Sequence, residues 1–191
     1  MEFHTINGVG FGVNLARLEI KKKPVGICFF DKDGVIVKDV IRKDGTLGSP
    51  RELTDLKFFD GISNIFLNNA ENNILNVIVS NQPDIQNDLL DIHVFESMNK
   101  VIFSTFMIDC ILWCPHSSLQ NCDCRKPKIK MFEWAINYFN PLTHDFQFFG
   151  DRETDAQAAE RINAFFVHIV SDLSLCKNNN HRHIKTLSEF Q

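Results

Sequence analysis

The fold is decided by the stretch Val25-Gly26-Ile27-Cys28-Phe29-Phe30-Asp31-Lys32-Asp33-Gly34-Val35. Its first six residues form an apolar run with aromatic and β-branched side chains, which is typical of a buried strand. Asp31 and Asp33 follow where this strand ends. Because charged groups are rarely buried unless they are paired or bind a metal, this position predicts the rim of an active site. A solvated Asp-Gly turn is the alternative for this segment alone.

A second segment, Phe148-Phe149-Gly150-Asp151-Arg152-Glu153-Thr154-Asp155, repeats the pattern of an apolar run that ends in acids. An acidic helix N-terminus is the alternative. If the two segments meet, four carboxylates converge and would hold a hard divalent cation, leaving one aspartate free to attack. Asp31 and Asp33 point the same way on an extended backbone, which is the spacing that a nucleophile and a general acid need.

Four further apolar runs read as strands, at residues 74–79, 108–113, 146–149 and 164–169. Between the runs, apolar residues with helical spacing occur in 62–69, 94–102, 131–139 and 156–162. This alternation predicts an α/β fold with a doubly wound, mainly parallel sheet, whose ligands bind beyond the carboxyl ends of the strands. Gly8-Val9-Gly10-Phe11-Gly12 predicts a turn or hairpin, and the Asn-rich segments 68–76 and 177–183 predict exposed turns or helix ends.

The amino-acid composition limits which classes of function are possible. The chain has 191 residues, of which 44% are hydrophobic and 23% charged, with a formal charge of −4. This balance predicts a globular protein without a nucleic-acid partner. No apolar stretch approaches the ~18 residues of a membrane span and the start lacks a signal-peptide pattern, so we expect no membrane partner and a cytoplasmic location. We expect residues 1–24 to be an extension of unknown role and 25–191 a single domain. The sequence does not decide the oligomeric state; a monomer is the default.

Two more strand or helix ends carry groups suited to phosphate. Val77-Ile78-Val79-Ser80-Asn81-Gln82 ends in a hydroxyl and two amides, which can hydrogen-bond phosphate oxygens without adding charge. Arg125 and Lys126 precede a helix and would neutralise phosphoryl charge. Either segment alone has a plain alternative, a strand-ending turn or a solvated basic face.

The cysteines suggest a metal site. Cys28 and Cys110 lie in apolar runs and Cys176 is remote, whereas Cys114, His116, Cys122 and Cys124 fall within eleven residues. A disulfide is the alternative, but three cysteines cannot all pair within one loop. Three sulfurs and one imidazole are the full ligand set of a closed tetrahedral zinc site. We therefore predict structural Zn²⁺, which would fix the direction of Arg125 and Lys126.

Together these segments resemble the haloacid dehalogenase superfamily of aspartate-nucleophile phosphatases, whose four motifs match Asp31 to Asp155 in order. The resemblance implies that Asp31 forms an aspartyl-phosphate and that Asp33 is the general acid and base. It also implies that Asp31, Asp33 and Asp151 bind Mg²⁺, with Asp155 as a possible outer contact, and that Ser80 and Lys126 bind the phosphoryl group. We expect clustered negative charge to keep Asp33 protonated, while Mg²⁺ and Lys126 keep Asp31 ionised.

Within the superfamily the metal loop is similar to those of the histidinol-phosphate and D-glycero-D-manno-heptose 1,7-bisphosphate phosphatases, which have no large cap domain. The short insert Ser117 to Asn121 and Asp151-Arg152 favour the histidinol-phosphate branch. Ser49-Pro50-Arg51 and Asn81 to Ile85 favour the heptose branch. The candidate substrate-binding residues are Asn81, Gln82, Arg51, Arg125 and Arg152. The chain departs from the heptose pattern at Ile85-Gln86-Asn87-Asp88, where an expected arginine is missing.

The predicted function is a magnesium-dependent phosphatase for a small phosphorylated metabolite of carbohydrate metabolism, foremost a heptose bisphosphate. The first alternative is a histidinol-phosphate phosphatase of histidine biosynthesis. A second alternative is an inactive, zinc-stapled binding module, supported by the altered segment after Gln82 and the N-terminal extension. A phosphotransferase or mutase is also compatible, because an aspartyl-phosphate can pass to another acceptor.

Overall fold

The computed structural model of the chain describes residues 3–6, 8–18, 23–169 and 182–184. Its strands are β1 (Phe3–Ile6), β2 (Val9–Val13), β3 (Gly26–Phe30), β4 (Val40–Ile41), β5 (Leu47–Gly48), β6 (Ile74–Asn81), β7 (Cys110–Cys114), β8 (Gln147–Gly150), β9 (Phe165–Ile169) and β10 (Arg182–Ile184). Its α-helices are α1 (Leu15–Leu18), α2 (Ile62–Glu71), α3 (Pro83–Gln86), α4 (Ile92–Thr105), α5 (Lys130–Phe139) and α6 (Glu153–Arg161). The five predicted strands and the four predicted helices are all present.

One sheet organises the chain, with strand order β1-β2-β7-β6-β3-β8-β9-β10. The six strands from β7 to β10 in this order are parallel, and β1 and β2 are antiparallel. After the edge hairpin β1–β2, the chain forms the central β3, moves outward through β6 and β7, and then returns to the other side of β3 with β8. Ligands of such sheets bind where the strand order reverses, which here is the end of β3 beside β8.

Both faces of the sheet are covered, which explains why its strands are apolar throughout. Phe30 packs on one face with Phe66 of α2 and Phe95 of α4, whereas Phe29 packs on the other with Phe132 of α5. Successive residues of a strand point to opposite faces, so two adjacent phenylalanines belong to two separate cores. The predicted doubly wound α/β fold is confirmed.

The N-terminal residues join this sheet. β1 and β2 form an antiparallel hairpin, and β2 pairs with the outer edge of β7. This confirms the hairpin predicted from the glycines at positions 8, 10 and 12. Val9 and Val13 of β2 are buried in the core. The division of the chain into residues 1–24 and 25–191 stays a prediction.

The Asn-rich segment 68–76 differs from its prediction. Asn69 and Asn76 are buried, and the Asn69 side-chain amide donates to Asn76 Oδ1 at 2.8 Å. Asn76 Nδ2 in turn donates to the carbonyl groups of Phe66 and Met107. The prediction of an exposed turn or helix end is wrong at these two positions, because the two amides pair with each other and with backbone carbonyls. The strand predicted over 74–79, which includes Asn76, is confirmed as part of β6. Most of the second Asn-rich segment lies outside the described residues, and Arg182–Ile184 is a strand.

The carboxyl ends of the strands carry no second domain in the described part of the chain. Between β3 and α2 the chain forms the small antiparallel hairpin β4–β5 and one turn of 3₁₀-helix. The predicted lack of a large cap is therefore confirmed. Among the described residues, no helix is both long enough and apolar enough to cross a membrane.

Candidate active site

The two acid-ended segments meet at the end of β3. The Asp31 amide donates to the carbonyl oxygen of Phe149, so the turn after β3 is joined to β8. Gly34 makes the close approach of Asp151 feasible. Its φ is +85°, and a methyl group added there would lie 2.3 Å from Asp151 Oδ2. Only glycine combines this backbone angle with so little space.

Lys126 lies at the centre of the site. Its ammonium is buried, 2.8 Å from Asp31 Oδ1 and 2.8 Å from Asp155 Oδ1, and it donates to the carbonyl oxygen of Val79 at 2.9 Å. Burial lowers the pKa of Lys126, but Asp155 and Asp31 outweigh burial and hold that pKa above its usual value. The site therefore contains a permanent positive charge between two carboxylates.

The carboxylate cluster, which we define as Asp31, Asp151 and Asp155, has the properties of a cation site. One oxygen of each residue lies within 4.8 Å of the other two. Asp151 Oδ1 is buried and has no hydrogen-bond partner. Burial raises the pKa of Asp31 to about 7 against the pull of Lys126, and burial together with Asp155 raises that of Asp151 to about 6. Hard oxygen ligands, excess negative charge and an unpaired oxygen fit a divalent cation.

Asp33 is held in a different way from Asp31. Lys32 Nζ lies 2.7 Å from Asp33 Oδ1, and Gln82 Nε2 donates to Asp33 Oδ2 at 2.6 Å. Burial raises the pKa of Asp33, but Lys32 and the hydrogen bonds from Gln82 and Ser49 outweigh it and keep the pKa below its usual value. The expectation that clustered negative charge keeps Asp33 protonated is therefore wrong. That expectation considered only the neighbouring acids, whereas the buried Lys32 places a positive charge beside Asp33.

Two predicted substrate-binding amides have partners within the protein. Gln82 is buried, and besides Asp33 it donates to Ser80 Oγ at 2.8 Å. Asn81 accepts from the Lys126 amide at 2.9 Å and donates to the Lys126 carbonyl at 3.2 Å. Gln82 thus orients Asp33 and Ser80, whereas Asn81 ties the end of β6 to the backbone of Lys126.

A cavity of about 800 Å³ opens beside these residues. Of the predicted site residues it is lined by Asp31, Asp33, Ser80, Asn81, Gln82, Cys122, Arg125, Lys126, Arg152 and Asp155. Arg51 lies outside the lining, where its Nε contacts Asp84 Oδ2 at 2.7 Å. Arg125 is oriented by a hydrogen bond to the carbonyl oxygen of His116, at 3.1 Å.

Several residues of the site were not predicted from the sequence. Lys32 could have been found, because it stands between Asp31 and Asp33 in the sequence and is close enough to form an ion pair with one of them. Asp84, Lys128 and Arg161 also line the cavity, together with Leu47, Gly48 and Ser49 from the β4–β5 hairpin. Asp84 and Lys128 lie only two residues from Gln82 and Lys126, so a closer look at those segments could have found them. Arg161 and the hairpin residues Leu47 and Gly48 lie outside the motifs, and no local pattern marks them.

The Cys/His cluster, which we define as Cys114, His116, Cys122 and Cys124, forms a second candidate metal site. Its ligand-type atoms all lie within 4.8 Å of one another. The sulfur–sulfur and sulfur–Nδ1 contacts are 3.2–3.5 Å. They are too long for a disulfide, and all five described cysteines are free. Tetrahedral Zn²⁺ with bonds of about 2.3 Å to sulfur would need contacts slightly longer than these. Cys176 lies outside the described residues.

Known proteins provide the comparison. No protein-family model matches the chain. It is 34% identical over 141 residues to the histidine biosynthesis bifunctional protein HisB of Actinobacillus pleuropneumoniae, over 70% of this chain and 37% of that protein. It is 29% identical over 134 residues to the D-glycero-beta-D-manno-heptose-1,7-bisphosphate 7-phosphatase of Haemophilus ducreyi, over 62% of this chain and 74% of that one. The chain thus spans little more than a third of the first relative.

Two solved structures share the fold. The D,D-heptose 1,7-bisphosphate phosphatase of B. bronchiseptica, solved with magnesium and phosphate, superposes with a TM-score of 0.72 and 18% identity over 85% of this chain and 94% of its own. A candidate HAD-like phosphatase from Mesorhizobium loti superposes with a TM-score of 0.76 and 19% identity over 97% and 91%. The predicted resemblance is confirmed. The chain has the fold of the haloacid dehalogenase superfamily, and its sequence is related to those of a histidine-biosynthesis protein and a heptose-bisphosphate phosphatase.

Proposed function

We propose that the chain is a magnesium-dependent phosphomonoesterase that works through an aspartyl-phosphate on Asp31. One observation carries this proposal. A buried Lys126 contacts Asp31 and Asp155 at 2.8 Å each, beside an Asp151 carboxylate with an unpaired buried oxygen. Such a site combines a nucleophile, a fixed cation for phosphoryl oxygens and ligands for a second cation. The phosphatase relatives support the same reaction.

The residues divide the reaction into two displacements. A carboxylate oxygen of Asp31 bonds to phosphorus as the ester P–O bond breaks, and Asp33 gives its proton to the leaving alkoxide. Asp33 then takes a proton from water, whose oxygen attacks phosphorus and releases phosphate from Asp31. Ser80 and Lys126 hold the phosphoryl oxygens during both steps. Mg²⁺, held by Asp31, Asp151 and the Asp33 carbonyl, would neutralise phosphoryl charge when bound.

The contacts of Asp33 set a requirement on the first step. Asp33 must carry a proton to act as an acid, yet Lys32 and Gln82 favour its charged form. We propose that Gln82 moves from Asp33 toward the substrate when the phosphate binds, because its amide also contacts the phosphate-binding Ser80 at 2.8 Å. The loss of that hydrogen bond would raise the pKa of Asp33 toward the range of a useful acid.

The Cys/His cluster would hold structural Zn²⁺. Four protein ligands complete a tetrahedron and leave no open position for chemistry. The last ligand, Cys124, directly precedes Arg125 and Lys126, so the metal would fix the backbone that carries both cations. Residues 25–191 would then form one phosphatase domain.

For the substrate we propose a sugar bisphosphate of the heptose 1,7-bisphosphate type. Beyond the reacting groups, the cavity is lined by four cationic side chains, Arg125, Lys128, Arg152 and Arg161, and by two acidic ones, Asp84 and Glu153. Asp84 is already paired with Arg51. This excess of positive charge favours a second phosphate over the cationic amine of histidinol phosphate. Histidinol phosphate remains the second candidate, because the HisB relative is 34% identical.

Phosphate release tests the proposal. The protein is assayed with Mg²⁺ against heptose 1,7-bisphosphate, histidinol phosphate and p-nitrophenyl phosphate, and Asp31→Asn is the matched control. We expect turnover that needs Mg²⁺ and disappears in the control, with kcat/KM highest for the bisphosphate. A higher kcat/KM for histidinol phosphate would reverse the order of the two candidates. No turnover of any substrate would favour an inactive binding module, and transfer to an added alcohol in place of phosphate release would indicate a phosphotransferase.

A further inference from the structure

The N-terminal hairpin β1–β2 lies directly against the Cys/His cluster. β2 pairs with β7, the strand that ends at Cys114, and Gly10 lies opposite Trp113. The hairpin turn thereby reaches His116. A methyl group added at Gly8 would lie 3.0 Å from Cε1 and 3.5 Å from Nε2 of the His116 ring. The turn therefore covers the Cε1–Nε2 edge of the imidazole, next to Nδ1, the atom that faces the sulfurs.

The same turn contacts a second residue of the cluster. Cys124 Sγ lies 3.7 Å from the carbonyl oxygen of Gly8. The next residue, Val9, is 2% exposed and packs in one apolar core with Cys114 and Cys124. A turn more than one hundred residues away in sequence thus touches the metal loop on several sides.

The hairpin is fixed at both ends, so its turn cannot easily move off the loop. Near the turn, Gly10 packs so closely on Trp113 that an added methyl group would lie 2.0 Å from the indole. At the other end, the Asn14 amide donates to the Asp109 carbonyl at 3.0 Å, and Arg17 Nε contacts Asp109 Oδ1 at 3.0 Å. Displacing the turn would require breaking the β2–β7 pairing between these two points.

We propose that the β1–β2 hairpin is the outer shell of the Cys/His metal site, and that Gly8 is the residue on which its fit depends. The inference rests on the proposed function, which assigns Zn²⁺ to this site. The turn holds the His116 ring in one orientation and covers the side of the cluster formed by His116 and Cys124. Outer contacts of this kind typically change metal affinity by about 10- to 100-fold. They also affect catalysis indirectly, because Cys124 directly precedes Arg125 and Lys126 and so helps to position these two cations.

Three glycine variants test the inference through the rate at which zinc passes to the chromophoric chelator 4-(2-pyridylazo)resorcinol. Gly8→Ala inserts a methyl group against His116. Gly12→Ala is the matched control in the same hairpin, because its methyl would meet the Phe3 ring at 2.5 Å. Gly45→Ala controls for backbone strain, since Gly45 has φ +83° and nothing within 4 Å.

We expect zinc release from Gly8→Ala to be about 10- to 100-fold faster than from the wild type, and release from both controls to stay within about twofold. Equal release from Gly8→Ala and the wild type would overturn the inference and leave the zinc proposal standing. Equal acceleration in all three variants would also overturn it, because the effect would then reflect general destabilisation. A wild-type protein that binds no zinc would remove the metal proposal and this inference together, without touching the activity proposed for Asp31.

Hydrogen exchange on the wild type keeps the inference testable if Gly8→Ala does not fold. Backbone amides of residues 8–13 are compared with and without bound zinc, and β9 at the far side of the sheet is the internal reference. We expect removal of zinc to speed exchange in residues 8–13 by at least about tenfold, with β9 unchanged. Unchanged exchange in the hairpin would overturn the inference.

Discussion

The segment from Cys124 to Lys126 connects the Cys/His cluster to the carboxylate cluster, but the protein holds the two clusters in opposite ways. The carboxylates follow β3 and β8 or begin α6, and the ammonium of Lys126 lies between two of them at 2.8 Å. Cys114 ends β7, and the other three Cys/His residues lie on the loop after it, whose regular structure is three residues of 3₁₀-helix. Their mutual contacts are those of thiols and an imidazole. An ion pair with a fixed partner forms without a metal, whereas neutral thiols attract each other weakly.

This difference indicates which cluster needs its metal to keep its geometry. We expect the carboxylate cluster to keep its geometry without Mg²⁺, and the Cys/His loop to loosen without Zn²⁺. The first cluster should then govern the chemical step, and the second should govern stability and the position of Lys126. Four experiments test this division, from the largest expected effect to the smallest.

Asp31→Asn should lower kcat by at least about a thousandfold, because an amide cannot form the aspartyl-phosphate. The fold should survive, since burial of a charged Asp31 is itself unfavourable and its pKa is raised to about 7. Phosphate release measures the first effect and thermal unfolding the second. Activity within tenfold of the wild type would remove Asp31 as the nucleophile.

Cys122→Ser should release the zinc and lower kcat/KM by about tenfold to a hundredfold, because the loop before Lys126 loses its anchor. Metal analysis and steady-state kinetics measure the two effects. Cys28→Ala is the control, since Cys28 is buried on β3 away from the cluster. If Cys122→Ser kept both its zinc and its activity, the two clusters would not be coupled.

Gln82→Met should lower kcat by about tenfold, because Asp33 and Ser80 lose a shared hydrogen-bond donor. The pKa of Asp33 should rise, since the Gln82 amide is one of the groups that lower it. Because Gln82 contacts Asp33 in the free enzyme, the basic limb of the pH profile of kcat/KM should therefore move to higher pH. A profile that keeps its shape while KM rises would instead indicate that Gln82 binds substrate.

The pH dependence of stability should distinguish the carboxylate cluster from the rest of the chain. Without Mg²⁺, the pKa values of Asp31 and Asp151 are about 7 and about 6, compared with 3.8 for an unperturbed Asp. As the pH falls from 8 to 5, the native state binds protons that the unfolded state does not, so stability rises. We expect Tm to increase by about 2–4 °C, which corresponds to ~1 kcal/mol in a chain of this size.

Two comparisons check that the slope belongs to this cluster. Added Mg²⁺ should flatten it, because a bound cation favours the ionised carboxylates. Asp31→Asn should flatten it as well, because the variant lacks one of the two carboxyl groups that take up protons in this range. A slope that persists in Asp31→Asn would assign the effect to other groups.

Local pattern was sufficient for the elements of the fold and the motifs of the site. Apolar runs of strand length gave all five predicted parallel strands, because a strand covered on both faces must be apolar throughout. The acids at the ends of β3 and β8 could be brought together from the sequence, since the ends of parallel strands meet at one edge of a sheet. The Cys/His site was equally predictable, because its four ligands lie within eleven residues of the sequence.

Partners that are distant in sequence were decided only by the tertiary structure. Asn76 fell both in the predicted strand 74–79 and in an Asn-rich segment predicted to be exposed. It is buried in β6, where Asn69 and two backbone carbonyls satisfy its amide. Arg51 was predicted to bind substrate, and the structure pairs it with Asp84, a residue that lines the cavity while Arg51 itself does not. The direction of an amide or a guanidinium depends on what packs beside it, and no local pattern records that.

The sequence by itself determined the strand that ends in Asp31-Lys32-Asp33, the parallel sheet and the two sets of metal-ligand types. The tertiary structure decided the charge of the site. It placed Lys126 between Asp31 and Asp155, and Lys32 on Asp33, which lowers a pKa that the sequence had suggested would rise. The physical reason is that pKa values depend on distances of a few ångströms between buried charges, and only packing sets those distances.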